Sequence, residues 1–143
     1  MCIRDSGVPS RFYLNNGDGT FTDKTEWAGF LPSPGKMLGA AELDFNNDGW
    51  PDLAVASDTQ RDLLYVNNGN GTFKEIGAVS GMAYDENGRA RAGMGIDAGV
   101  VDNSGKETIQ MSTSSSLVFL FLIGLPDLQK NYQTDGEIHC SFP

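Results

Sequence analysis

The sequence predicts an all-β chain assembled from a repeated unit, and three observations carry that expectation. The decapeptide Phe12 to Phe21 (FYLNNGDGTF) returns 52 residues later as Leu64 to Phe73 (LYVNNGNGTF). Residues 39–53 (GAAELDFNNDGWPDL) align with residues 95–109 (GIDAGVVDNSGKETI), an offset of 56. The 18 glycines of the 143-residue chain cluster beside Asn and Asp, in the short phrases that punctuate strands joined by tight turns. Two motifs alternating at nearly one period mark a solenoid or a propeller, in which each unit is one supersecondary element. No segment has a convincing helical period.

Taken in order along the chain, Met1 to Ser6 (MCIRDS) has no apolar secretion segment behind it and resembles an adaptor-derived leader, so residues 1–10 are expected to be a non-native leader. Arg11 to Leu14 and Leu63 to Val66 are β-favouring runs with Tyr and branched residues. The Asn-Asn-Gly phrases at 15–17 and 67–69 supply residues that tolerate positive φ, and Phe21 and Phe73 open the return strands, so each copy reads as a hairpin. Ser33 to Gly35 and Glu86 to Gly88 are expected to be loops on one rim. Leu53 to Ala56 reads as a buried strand, and Pro51 suits its start because no ladder N–H is needed there. The apolar run Leu117 to Leu125 is shorter than the roughly 20 residues of a spanning helix and reads as another buried strand. The repeat pattern ends near Gln110, which leaves residues 110–143 as an unmatched tail, expected to reflect truncation or a frameshift.

The chemistry of the sequence is concentrated at residues 44–52. Asp44, Asn46, Asp48 and Asp52 occupy positions 1, 3, 5 and 9 of a loop, with Gly49 at position 6. Alternate residues of a tightly wound loop turn inward together, and glycine permits the positive-φ bend that curls the chain. Three carboxylates so close repel, at about 5 Å and an effective dielectric of about 20, by on the order of 3 kcal/mol per pair. A cation offsets that cost, or the loop stays open to water. In the metal-bound reading Asp44, Asn46, Asp48 and Asp52 give side-chain oxygens and Trp50 its backbone carbonyl. Hard oxygen donors without His or Cys select Ca²⁺ over zinc or copper. The competing reading is an Asx-rich turn that binds nothing. An EF-hand is excluded, because position 12 is Val55 rather than a bidentate Glu and the segment leaving the loop is strand-like. The second copy keeps one carboxylate: Val100, Asp102, Ser104 and Thr108 fill positions 1, 3, 5 and 9, so its affinity is expected to be poor.

Composition narrows the function. Nineteen acidic against ten basic residues give a net charge of −9, which argues against a nucleic-acid partner and suits a cation-binding surface. Cys2 and Cys140 lie outside the patterned region and imply neither a disulfide framework nor a zinc site. His139 is the single histidine, and no nucleophile-elbow or phosphate-loop pattern is present, so no catalytic residue is assigned. Arg89 and Arg91 read as rim charges.

The loop at 44–53, the doubled Tyr-x-Asn-Asn-Gly-x-Gly-Thr-Phe phrase and Arg89 to Asp97 (RARAGMGID) together resemble FG-GAP (VCBS-type) repeats, the blades of integrin-α-like β-propellers. The last phrase is similar to repeats of bacterial relatives of cartilage acidic protein, which often carry an ASPIC/UnbV segment. The resemblance implies blades of four antiparallel strands, with Ca²⁺ in a loop between two of them. It implies about two blades over residues 11–109, an incomplete ring whose partners include the remaining blades of a parent propeller. It also implies an exported or cell-surface binding or adhesion protein with a protein or glycan ligand and no membrane insertion. The alternative is a metal-assisted hydrolase or lyase whose catalytic residues lie on missing blades.

Overall fold

Eleven strands, all paired antiparallel, run through the computed structural model, which describes residues 7–30, 34–101, 103, 105–113 and 118–122. The described residues contain no helix. β1 (Val8–Pro9) pairs with β4 (Pro34–Gly35), and β2 (Tyr13–Asn15) with β3 (Phe21–Asp23). A four-stranded meander follows in the order β5 (Met37–Leu43), β6 (Asp52–Ser57), β7 (Leu63–Asn67) and β8 (Phe73–Glu75). β9 (Gly93–Val100), β10 (Glu107–Thr113) and β11 (Val118–Leu122) form a second, three-stranded meander. The described residues are therefore all-β and open, with the stacked meanders of a partial propeller: one outer hairpin, one whole blade and three strands of the next. Pro34 and Gly35 were expected in a loop; they form the short strand β4 because Gly7 lies so close to Gly35 that a side chain at Gly7 would strike its backbone. Cys2, Ser33, Cys140 and His139 lie outside the described residues, as do residues 1–6 and 123–143.

The two hairpins repeat down to individual hydrogen bonds. In the first, Gly17 N–H donates to Asn15 Oδ1 at 2.8 Å and Thr20 N–H to Asp18 Oδ1 at 2.9 Å. In the second, Gly69 N–H donates to Asn67 Oδ1 at 2.9 Å and Thr72 N–H to Asn70 Oδ1 at 3.0 Å. Asp18 and Asn70 do the same work, so the turn needs a side-chain oxygen rather than a charge.

Alternation along the central blade gives it two apolar faces. Leu53, Val55, Leu63 and Tyr65 point to one side, where Ala28, Phe30, Phe12 and Phe73 join them. Ala54, Ala56 and Leu64 point to the other, against Met82, Ile109 and Met111. The repeat extends beyond the hairpin to explain both plugs. Ala28 N–H bonds Lys24 O and Ser80 N–H bonds Ile76 O, equivalent turns 52 residues apart, and each turn delivers one large apolar residue into the next joint. Phe30 fills the first and Met82 the second. Six residues then separate Phe30 from Met37, whereas ten separate Met82 from Gly93; the four extra residues account for the change of offset from 52 to 56. They belong to a small loop closed by the Tyr84–Ala90 bridge, in which Glu86 to Gly88 form the tip as expected.

Candidate functional site

The loop between β5 and β6 is wound by its own side chains. Asp44 accepts two backbone N–H groups, Asp48 at 3.0 Å through Oδ1 and Gly49 at 2.9 Å through Oδ2. Asn46 Oδ1 accepts a second bond from Asp48 N–H at 3.1 Å, and Asp48 Oδ1 accepts from Trp50 N–H at 2.8 Å. Asn46 Nδ2 donates to Asp48 Oδ2 at 2.7 Å. The bend demands positive φ twice, at Asn47 (57°) and Gly49 (83°), which Asn tolerates and glycine adopts freely. Asp44, Asn46 and Asp48 thus gather on one exposed turn.

Asp52 stands apart from them. It is 1% exposed at the neck of the loop, where Oδ2 accepts Phe45 N–H at 2.9 Å and Oδ1 accepts Asn67 N–H at 2.7 Å. One carboxylate therefore ties the loop to the end of β7. Burial pushes its pKa above the ordinary carboxylate value, the two N–H donors oppose that, and the charges of Asp48 and Asp44 add to the rise. The Trp50 side chain is half exposed, and its indole lies over Gly69 of the second hairpin turn, which also has positive φ.

Sequence reasoning missed Glu107. Its Oε2 accepts the N–H of Asp44 across the joint between blades, and Glu42, Asp44, Gly49, Trp50 and Glu107 line an open cleft of about 330 Å³ beside the loop. An acidic residue just before Thr108 is the only sequence signal, because the pairing depends on how two blades stack. Of the degenerate copy, Val100 is exposed, Thr108 is buried within β10, and Asp102 and Ser104 lie outside the described residues. Arg91 Nε donates to the carbonyl of Tyr84, which holds it along the connecting loop.

The donors around the turn suit a hard divalent cation in kind: they are oxygens, and carboxylate oxygens have lone pairs beyond those given to the backbone. Among the described residues, however, no three His, Cys, Asp or Glu side chains converge as a ready metal cage. The carboxylates instead wrap N–H groups, with Asp52 turned to the neck.

The motif, the two-faced blade and this wound loop agree with the comparison to known families: residues 44–107 match the model of the FG-GAP-like repeat. Residues 44–107 are therefore similar to an FG-GAP-like repeat. The match begins on the first residue of the wound loop and closes on Glu107, which bonds back to it. No curated protein matches the chain.

Proposed function

We propose that the chain is part of a Ca²⁺-stabilised β-propeller from an exported or cell-surface binding or adhesion protein, related to the bacterial cartilage acidic protein group. The ion would be structural, held by Asp44, Asn46, Asp48 and the Trp50 carbonyl on the turn and by Asp52 through a lone pair left beside its two N–H bonds at the neck, and its work would be to offset carboxylate repulsion and stiffen the rim. The observation that carries this reading is the wound turn itself, which brings Asp44, Asn46 and Asp48 together around Gly49 in the FG-GAP-like repeat. The remaining blades of the propeller and a protein or glycan are the partners the reading assigns. Such repeats commonly work outside the cell as binding rather than catalytic modules, and no helix among the described residues is long and apolar enough to cross a membrane.

Calcium titration tests the proposal. Extracellular Ca²⁺ modules bind with Kd on the order of 10⁻⁴–10⁻³ M. At ten times Kd the ion adds about 1.4 kcal/mol to stability through linkage. The Tm of the wild type should rise with Ca²⁺ and much less with Mg²⁺, and the calcium-dependent increment should vanish in Asp48→Ala. A wild-type melt indifferent to millimolar Ca²⁺ would refute the role.

A further inference from the structure

Asp62 is a fully buried carboxyl outside the wound loop at 44–52. It immediately precedes β7 with 0% exposure, in the joint between the central blade and the next. Its Oδ1 accepts two N–H groups from different blades: Ser57 at the end of β6, at 2.8 Å, and Gly93 at the start of β9, at 3.3 Å. Its Oδ2 has no hydrogen-bond partner although it is sealed from solvent. Buried polar atoms are almost always paired, so an orphan carboxylate oxygen needs an explanation.

Gly93 makes the contact possible. A Cβ there would lie 2.8 Å from Asp62 Oδ1 and 3.1 Å from the Ala56 Cβ, and would strike the Met111 sulfur. The preceding joint provides an internal control. The repeat offsets of 52 and 56 put Ser10 at the position of Asp62 and Met37 at that of Gly93. There the Ser10 hydroxyl meets the Met37 sulfur, so that position holds no ionisable group.

We infer that Asp62 is a proton-operated latch between the two blades: a neutral carboxyl holds the joint closed, and ionisation loosens it. The neutral acid keeps Oδ1 as an acceptor for both N–H groups and removes the charge that Oδ2 otherwise buries without a partner. The charged groups around it leave that balance in place. Arg91, on the segment leading into β9, favours the ionised form, but less than burial disfavours it. Arg61 is paired at 3.1 Å with Glu75 of β8, Asp58 lies at the other end of the β6–β7 turn, and β10 contributes the uncharged Met111. The net result is a pKa raised from 3.8 to about 6, chiefly by burial.

The sign follows from linkage. The folded joint binds this proton more tightly than the open chain does, so the latch is fully closed below the unfolded value and weakens as pH rises through about 6. A shift of this size changes the closing equilibrium by up to about a hundredfold.

Two measurements on the full chain test it. The Asp62 carboxyl ¹³C signal, followed by NMR, should titrate near pH 6, and amide exchange at Gly93, corrected for its intrinsic pH dependence, should slow on acidification from pH 7.5 to 5. Asp62→Asn copies the neutral acid; it should abolish that pH dependence and be at least as stable as the wild type at pH 7.5. An Asp62 signal that titrates near 4, or a pH dependence that survives in Asp62→Asn, overturns the proposal. The wild-type carboxyl titration decides the matter by itself if the variant does not fold.

Discussion

Truncating Phe30 should cost the molecule much of its stability. The ring is 8% exposed and packs between both hairpins and the central blade, with ring centroids 4.9 Å from Phe12, 4.6 Å from Tyr65 and 5.2 Å from Phe73. Phe30→Ala removes a buried ring worth about 2–3 kcal/mol by transfer alone. The cavity and the lost ring–ring contacts raise the cost to about 3–5 kcal/mol. Domains of this size are stable by about 5–15 kcal/mol, so the variant should be close to unfolding. Urea denaturation followed by tryptophan fluorescence measures the effect directly, with Trp27→Ala as the control. Trp27 is 56% exposed and only three residues away, so its loss should cost far less. The same experiment on Met82→Ala reads the second joint, where about 2–5 kcal/mol is expected. A Phe30→Ala loss below 1 kcal/mol, or one no greater than that of Trp27→Ala, would show that the plug does not hold the joint.

Three further outcomes follow from the hydrogen bonds and turns. Asp52→Asn should destabilise by about 1–3 kcal/mol, because an amide accepts from only one of Phe45 and Asn67 through oxygen and opposes the other with its NH₂; equilibrium unfolding would detect it. Asp23 is held down to about 2, first by the Thr25 hydroxyl and backbone N–H and then by Arg11, so NMR titration should show its pKa rise in both Thr25→Val and Arg11→Ala. Its folded pKa is depressed, so its contribution is present above pH 3.8 and is lost as pH falls through about 2. Gly71→Ala and Gly19→Ala both place a side chain at positive φ, but only the former puts a Cβ 3.0 Å from the Trp27 ring; it should cost more in an unfolding titration and shift the Trp27 emission.

The hairpins were legible because their cause is local. Asn-Asn-Gly-x-Gly fixes a turn in either copy, the expected strands at 11–14, 53–56 and 63–66 appear with ends moved by a few residues, and the described part of 117–125, Val118–Leu122, is a strand. The wound loop at 44–52 was legible in the same way, down to the positive φ of Gly49. The split within it was not: Asp52 looks like its neighbours in the sequence, and only the arrival of β7 makes it a buried acceptor for Asn67. Asp62 and Glu107 were invisible for the same reason, since each acts across a joint between blades. The plugs do leave a trace in the sequence. Ala-Gly-Phe at 28–30 and Ser-Gly-Met at 80–82 keep the 52-residue offset, each ending in a large apolar residue.

The unequal connections between blades bear on how such a chain can be altered. Four added residues between Met82 and Gly93 disturb neither the turn that delivers Met82 nor the pairing of β9 with β10. The tether is slack; the plug and the first strand of the next blade determine where that blade sits. Glu86 to Gly88 are therefore a natural place for a foreign peptide, a reporter tag or new chain ends, because a change there lengthens a closed surface loop and leaves the seated surfaces untouched.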